Sequence, residues 1–489
     1  MKNTTMMQYF EWYLPENGLH WKRCAAQAGQ LAETGINMVW LPPAYKGAAG
    51  ENSVGYDVYD TYDLGEFDQK GCVKTKYGAK EEYLKAVETF QENGIKVLAD
   101  VVLNHRMGAD GTENVIVEEE LNSDRNQDIS GKQEITAWTR FDFPGRGEKY
   151  SAFHWNASHF SGTDWDAGAK RNGIFRFDGK CWNRETDSEN GNYDYLMGAD
   201  LDTDNPEVVQ EVTEWGKWYL DMVHMDGFRL DAVKHISFDF YREWLKNMRE
   251  YAGEDLFVVG EYWTKETGKL THYLDVTEHR LALFDVPLHF KFLAAATSDG
   301  NFDMSRLYED TLTGIDPEHA VTFVDNHDTQ LGQALYSFIP VWFKPIAYAL
   351  ILLRAVGTPC VFYGDYYGIL HDGVAPISCL PKLIKIRELY AYGEEHLFFD
   401  HHSLVGFTRE GSEEHPDSGV AVLMTDSVSG TKRMYLGNRM AGKCMVDAME
   451  GITEQVQVGV DGWAEFRVNG GSVSVWVTEQ AWELLYTEL

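Results

Sequence analysis

"EEYLKAVETFQENGIKVLADVVLNH", residues 81–105, changes its period halfway along. In its first half Leu84, Val87 and Phe90 recur on one helical face. Gly94 then supplies the residue best able to end a helix in a left-handed turn. From Lys96 the chain is apolar and β-branched, so a strand is expected over 96–103. The same grammar recurs. "WKRCAAQAGQLAETGINMVWLPP" (21–43) predicts a helix ending near Gly35 and a strand at 36–41. "NPEVVQEVTEWGKWYLDMVHMDGFRLD" (205–231) places Pro206 in a first helical turn and ends in a strand. "FYREWLKNMREYAGEDLFVVGEYW" (240–263) repeats the pattern through Gly253.

Eight segments read as strands: "MMQYFEW" (6–12), "NMVWLPP" (37–43), "KVLADVV" (96–102), "GFRLDAV" (227–233), "LFVVGEY" (256–262), "ALFDVPL" (282–288), "AVTFVDN" (320–326) and "PCVFYGD" (359–365). Strands alternating with helices imply a parallel sheet. Eight such units point to an α/β fold closed as a (β/α)8 TIM barrel. Two regions break the grammar. Residues 104–206 are rich in Gly, Asp, Asn and Trp without helical periodicity, and read as an inserted β-rich B domain after strand three. From about 397, short alternating runs such as "VAVLMTD" and "GSVSVWV" read as a C-terminal antiparallel β-sandwich. The expected division is barrel 1–103, insertion 104–206, barrel 207–396 and C-terminal domain 397–489.

Composition narrows the function. A chain of 489 residues, 44% hydrophobic, can bury a large core. Its formal net charge of −34 argues against nucleic acid and anionic membrane as partners. The 15 Trp and 26 Tyr offer flat faces of the kind that stack on sugar rings. Six cysteines, with no CxxC pair, read as free thiols in a reducing compartment. The first 18 residues carry one Lys and no apolar core, unlike a signal peptide, so a cytoplasmic location is expected. The longest apolar run, "IAYALILL" (346–353), is too short to span a bilayer. A monomer is expected.

Catalytic groups of a barrel of this kind gather at the C-terminal ends of its strands. Asn104 and His105 follow strand three, and Asp231, Lys234 and His235 follow strand four. Glu261 follows strand five, and "DNHD" (325–328) follows strand seven. Any one carboxylate could belong to a local structural ion pair. Three delivered by three strands to one mouth indicate a shared pocket. Such a set suits glycoside cleavage, in which one carboxyl must stay protonated and another ionised. In "GFRLDAVKH" (227–235), strand alternation puts Gly227, Arg229 and Asp231 on one face, with Phe228 and Leu230 on the other.

Four segments in this order, "DVVLNH" (100–105), "GFRLDAVKH", "GEYW" (260–263) and "FVDNHD" (323–328), resemble the signature regions of the α-amylase family, glycoside hydrolase family thirteen. "ADLDTDNPEV" (199–208) resembles the extra region that closes that family's inserted domain. "NMVWLPPAYKGA" (37–48) and "LGEFDQKG" (64–71) are similar to text of its bacterial liquefying subgroup, especially the intracellular members. The resemblance covers nearly the whole chain. It implies endo-acting, retaining hydrolysis of α-1,4-glucosidic bonds in starch, glycogen or maltodextrins. Asp231 matches the nucleophile, Glu261 the general acid/base and Asp328 the transition-state stabiliser. Arg229 would hold the nucleophile ionised. His105 and His327 match residues that bond the sugar, Tyr56 in "SVGYDVYD" (53–60) matches a stacking platform, and Lys234 is expected on the leaving-group side. A transglycosylase of the same family would carry the same residues and stays open at this point.

The resemblance also implies a structural Ca²⁺ held by Asn104, Asp194, Asp200 and the carbonyl of His235, all hard oxygen donors. The chain departs from secreted relatives at further ion positions. Ser161 in "HFSGTDW" (159–165), Asn183 in "KCWNRE" (180–185) and Ser403 in "FDHHSLVG" (399–406) each stand where an Asp is expected. One calcium, rather than a larger cluster, and lower heat resistance follow. The α-glucan is the only partner expected. The motifs of other chemistries, GxGxxG after a strand, a P-loop or GxSxG, are missing.

Overall fold

The structure, a computed structural model, describes the backbone of residues 3–488. The eight expected strands all form. They are β1 (Met6–Gln8), β2 (Met38–Leu41), β3 (Lys96–Val101), β4 (Gly227–Leu230), β5 (Phe257–Gly260), β6 (Ala282–Phe284), β7 (Ala320–Phe323) and β8 (Thr358–Phe362). Each pairs in parallel with the next, and β8 pairs with β1 to close the barrel. The strands are shorter than the sequence runs: the tail of the β6 run, from Val286, opens a helix, and the polar tail of the β7 run leaves the ladder. After β7, Asn326 Oδ1 accepts from the N–H groups of Asp328 and Thr329, both at 2.9 Å, and turns the chain. Asn104 and His105 likewise lie beyond β3. His105–Arg106 is a separate short strand.

The outer layer is helical: α1 (His20–Thr34), α2 (Lys80–Glu92), α3 (Pro206–Val223), α4 (Phe238–Ala252), α5 (Thr267–Val276), α6 (Val286–Thr297), α7 (Lys344–Leu353) and α8 (Leu380–Leu389). Gly35 (φ 109°) and Gly253 (φ 70°) end α1 and α4 in left-handed turns that glycine adopts without strain. Asn205 caps α3 by accepting from Glu207 N, with Pro206 in the first turn. The buried face of α2 is Tyr83, Ala86, Val87 and Phe90. Leu84 sits at its edge rather than on it, because the 3.6-residue period rotates a three-residue series off one face.

On β4 the alternation acts as expected. Phe228 faces outward and packs against Trp244 of α4, ring centroids 5.4 Å apart. Arg229 faces the barrel interior and is fully buried. Gly227 is required at the start of this strand: a Cβ there would lie 1.9 Å from Phe257 O.

Between β3 and α3 the chain builds a seven-stranded antiparallel sheet. Its first strand, His105–Arg106, pairs with its last, Ala199–Leu201. Beyond α8 a six-stranded antiparallel sheet runs from Glu395–Phe398 to Ser472–Thr478, beside a pair formed by Gly430–Tyr435 and Trp463–Val468. Met434, Phe466 and Trp476 pack together in a core of their own there. A last helix, Glu479–Glu488, was not expected from the β-rich patterning around it. No helix among the described residues is long and apolar enough to cross a membrane. The six cysteines are free.

Candidate active site

Three barrel strands deliver carboxylates to one cavity of about 340 Å³ at their C-terminal ends. Asp231 follows β4, Glu261 follows β5 and Asp328 lies in the turn after β7. Main-chain bonds extend the ladder just far enough to place them. Asp231 N donates to Val101 O and Glu261 N to Leu230 O, each at 2.9 Å. Ala232 then takes a left-handed conformation (φ 47°), uncommon for a residue with a Cβ, and bends the chain away just after Asp231.

Arg229 organises the floor. Its Nη1 donates to Asp100 Oδ1 at 2.9 Å and to Asp231 Oδ1 at 2.6 Å, and its Nη2 donates to Glu261 Oε2. One guanidinium thus serves three carboxylates from three strands. Burial pushes the Glu261 carboxyl up to about 7. Arg229 opposes that rise, and the Asp231 and Asp100 charges add to it. Burial also raises Asp100, to about 6, against the pull of Arg229. Asp328 is raised well above the ordinary carboxylate range, by burial first and by Glu261 next. A pocket in which a buried cation bonds three carboxyls, and in which Glu261, Asp100 and Asp328 are held toward their protonated forms, has a group able to donate a proton beside a fixed positive charge that favours a carboxylate.

The two expected histidines reach the cavity as neutral rings. Burial lowers both, and the Arg229 charge lowers His327 further. His105 Nε2 donates to Tyr56 O at 2.8 Å. His327 Nδ1 lies 3.0 Å from Gln8 Nε2, and its Nε2 lies 3.3 Å from Asp328 Oδ2. Tyr56 stacks parallel to His327, centroids 5.0 Å apart, and to Trp12 at 6.1 Å. Its hydroxyl donates to Asp100 Oδ2 at 2.7 Å. Lys234 lines the same cavity, bonds Glu189 Oε2 at 2.8 Å and sits over the Tyr193 ring.

A model of the α-amylase catalytic domain matches residues 27–376. The chain belongs to the α-amylase family. An α-amylase of Geobacillus stearothermophilus is 54% identical over 97% of this chain and 87% of its own length. A cytoplasmic α-amylase of Escherichia coli is 45% identical over 98% of this chain and all of its own. Among solved structures, an Anoxybacillus α-amylase covers 98% of this chain and 97% of its own, with a TM-score of 0.64 at 18% identity, a likeness of fold.

Within this α-amylase-family site, reading by motif passed over several residues. Asp100 is the first residue of "DVVLNH" and sits opposite Arg229 in the β3–β4 register. Like Arg229, it is a charge inside an apolar strand, and that is its signal in the sequence. Trp12 and Tyr193 line the cavity and carried no motif, and Trp263, the last residue of "GEYW", lines it too but was given no role.

The remaining expected residues gather beside the cavity. Asn104 Nδ2 faces three oxygens: His235 O at 2.8 Å, Asp194 O at 3.4 Å and Asp200 Oδ1 at 3.4 Å. Asp194 and Asp200 are both buried. Neutral groups bond them. Asp194 accepts from the N–H and Nδ2 of Asn183 at 2.8 and 2.9 Å, and Asp200 accepts from Ser161 Oγ. Burial raises both, Asp194 to about 7. Two buried carboxylates with neutral donors, converging with an amide and a carbonyl, form a donor set suited to a hard divalent cation.

Proposed function

We propose that the protein is an endo-acting, retaining hydrolase of α-1,4-glucosidic bonds in starch, glycogen or maltodextrins. The observation that carries this reading is the sharing of one buried guanidinium, that of Arg229, by Asp231 and Glu261. Carboxylates on the two ends of one guanidinium lie close together. A retaining mechanism needs them about 5–5.5 Å apart, whereas an inverting one keeps about 6.5–9.5 Å for its water. The identity to curated α-amylases over nearly the full chain supports the substrate class.

The steps follow from the charges. Glu261, held toward its protonated form, gives its proton to the glycosidic oxygen as the bond to the anomeric carbon breaks. Asp231 attacks that carbon and forms the glycosyl-enzyme. Glu261, now ionised, takes a proton from water, whose oxygen attacks the same carbon and releases Asp231. Asp328 and His327 hold sugar hydroxyls beside the reacting carbon, and His105 bonds the same sugar. Tyr56 and Trp12 offer aromatic faces to the rings, and Lys234 lines the leaving-group side.

Asn104, Asp194, Asp200 and the carbonyl of His235 would hold one Ca²⁺. These residues come from the approach to the insertion, from within it and from the turn after β4, so the bound ion supplies a cross-link rather than chemistry. Ser161 and Asn183 bond the two carboxylates with neutral donors, which supports a single ion there. We divide the chain into barrel (1–103 and 207–396), insertion (104–206) and C-terminal domain (397–489). A cytoplasmic site of action is supported by the six free cysteines and by the E. coli relative.

Proton NMR of fresh maltoheptaose digests tests the reading. α-Anomeric short products, absent with Glu261→Gln, are expected. β-Anomeric products would overturn retention, and products longer than the substrate would favour the transglycosylase.

A further inference from the structure

β6 and β7 are parallel neighbours, with Leu283 opposite Ala320 and Phe284 opposite Val321. The turns leading into them therefore lie side by side, at the barrel end away from Asp231, Glu261 and Asp328. Each turn carries a histidine. His279 stands three residues ahead of β6, and His319 immediately ahead of β7. Their ring centroids are 4.8 Å apart. Asp316 stands between them, with Oδ1 2.9 Å from His319 Nδ1 and Oδ2 3.5 Å from His279 Nε2. One donor atom from each of the three lies within 4.8 Å of the other two.

These separations bracket the edge of a metal-ion tetrahedron. Zn²⁺ bonds of about 2.0–2.1 Å place neighbouring ligands about 3.3–3.4 Å apart. Two imidazole nitrogens and one carboxylate oxygen favour Zn²⁺, Cu²⁺ or Ni²⁺ over the oxygen-seeking Ca²⁺. The ligands are held from behind by main chain. His279 N donates to Leu274 O at 2.8 Å, and His319 N to Asp316 O at 3.3 Å. All three side chains keep a solvent-facing side, His279 the most, so an ion can reach them and water can complete the shell. Asp275 Oδ1, 3.9 Å from His279 Nε2, is a further oxygen within reach.

We propose that His279, Asp316 and His319 form a binding site for a divalent transition-metal ion, a clip joining the turns that lead into β6 and β7. The site is independent of the cleft and of the calcium ligands. Its role is structural, since the end of the barrel opposite the active site serves stability rather than chemistry.

The test is calorimetric titration of Zn²⁺ into the full-length protein kept saturated with calcium. One saturating equivalent is expected. His279→Ala and His319→Ala should each weaken it by roughly tenfold or more. His396→Ala should leave it unchanged. That residue belongs to the surface group Glu394, His396 and Glu410, which also brings three donor atoms together. Co²⁺ in place of Zn²⁺ should give the intense visible absorption of a four-coordinate ion, lost in the same two variants. Thermal melting without Zn²⁺ should match wild type in all three, separating loss of a ligand from loss of fold. The proposal is overturned by the absence of a saturable Zn²⁺ signal, or by a signal that survives both His279→Ala and His319→Ala.

Discussion

Replacing Arg229 by leucine removes the one cation shared by the buried carboxylates of Asp100 and Glu261 and the partly buried one of Asp231. Breaking a buried ion pair by deleting one partner costs about 3–5 kcal/mol, because the surviving charge stays desolvated. At about 2 °C per kcal/mol for a large domain, the melting temperature should fall by roughly 6–10 °C. The sign with pH separates charge from packing. Wild-type Glu261 and Asp100 already have carboxyls raised to about 7 and 6, so at pH 5 both are largely protonated with or without the arginine. Losing Arg229 raises them further. A folded-state value raised above the unfolded one leaves stability untouched below the unfolded value of about 4, and the penalty grows as pH climbs from there to the folded value, above which it is complete. The deficit relative to wild type should thus be small at pH 5 and complete by about pH 8.5. Circular-dichroism melts across that range, with calcium saturating, measure it. An equal deficit at pH 5 and pH 8.5 would show that Arg229 acts by filling space, and charge pairing would not be what holds the site floor.

If Glu261 donates the proton, kcat/KM on maltoheptaose should fall on the alkaline side with a midpoint near 7, and Glu261→Gln should lose at least about 100-fold in kcat at every pH while keeping its fold. A chelator should lower the melting temperature of wild type and have little effect on Asp200→Asn, and elemental analysis should find one calcium per chain. A second calcium lost in Asp426→Asn would reverse the one-ion reading, since Asp426 is buried near His402 with neither carboxylate oxygen bonded. Lys344→Met should destabilise the fold by about 3–5 kcal/mol, because Lys344 is buried between Asp325, at 2.8 Å, and Asp365. Its activity should fall along with its stability, since Asp325 also anchors Thr329 and Ile339 around the turn that carries Asp328.

The barrel was legible because each βα unit repeats a change of period punctuated by glycine. Gly35, Gly94 and Gly253 mark helix ends in the letters as plainly as in the fold. The catalytic candidates were legible because burying a charge inside an apolar strand is costly and is seldom kept without a use. The strand ends were harder. Whether Asn104 or Asp325 prolongs a strand depends on side-chain bonds to residues far along the chain, such as Asn104 to His235 O. Asp100 escaped for a related reason. It becomes part of the site only through its register with Arg229 on the next strand, 129 residues later. The insertion was recognisable as a break in rhythm, but its pairing order, in which the first strand meets the last, is not written in any local pattern.

That pairing changes what the insertion means for folding. Residues 107–198 leave and return through two strands bonded to each other, with Asp200 opposite His105. Seen from the barrel, the long excursion closes like a hairpin, and β3 and β4 can find each other once that gate has formed. The entropy of closing a loop grows only as the logarithm of its length, about 0.6 kcal/mol for each doubling. Lengthening or shortening the excursion inside the gate should leave the barrel's assembly nearly untouched, whereas a single proline at the gate strand would charge the barrel for every residue in between.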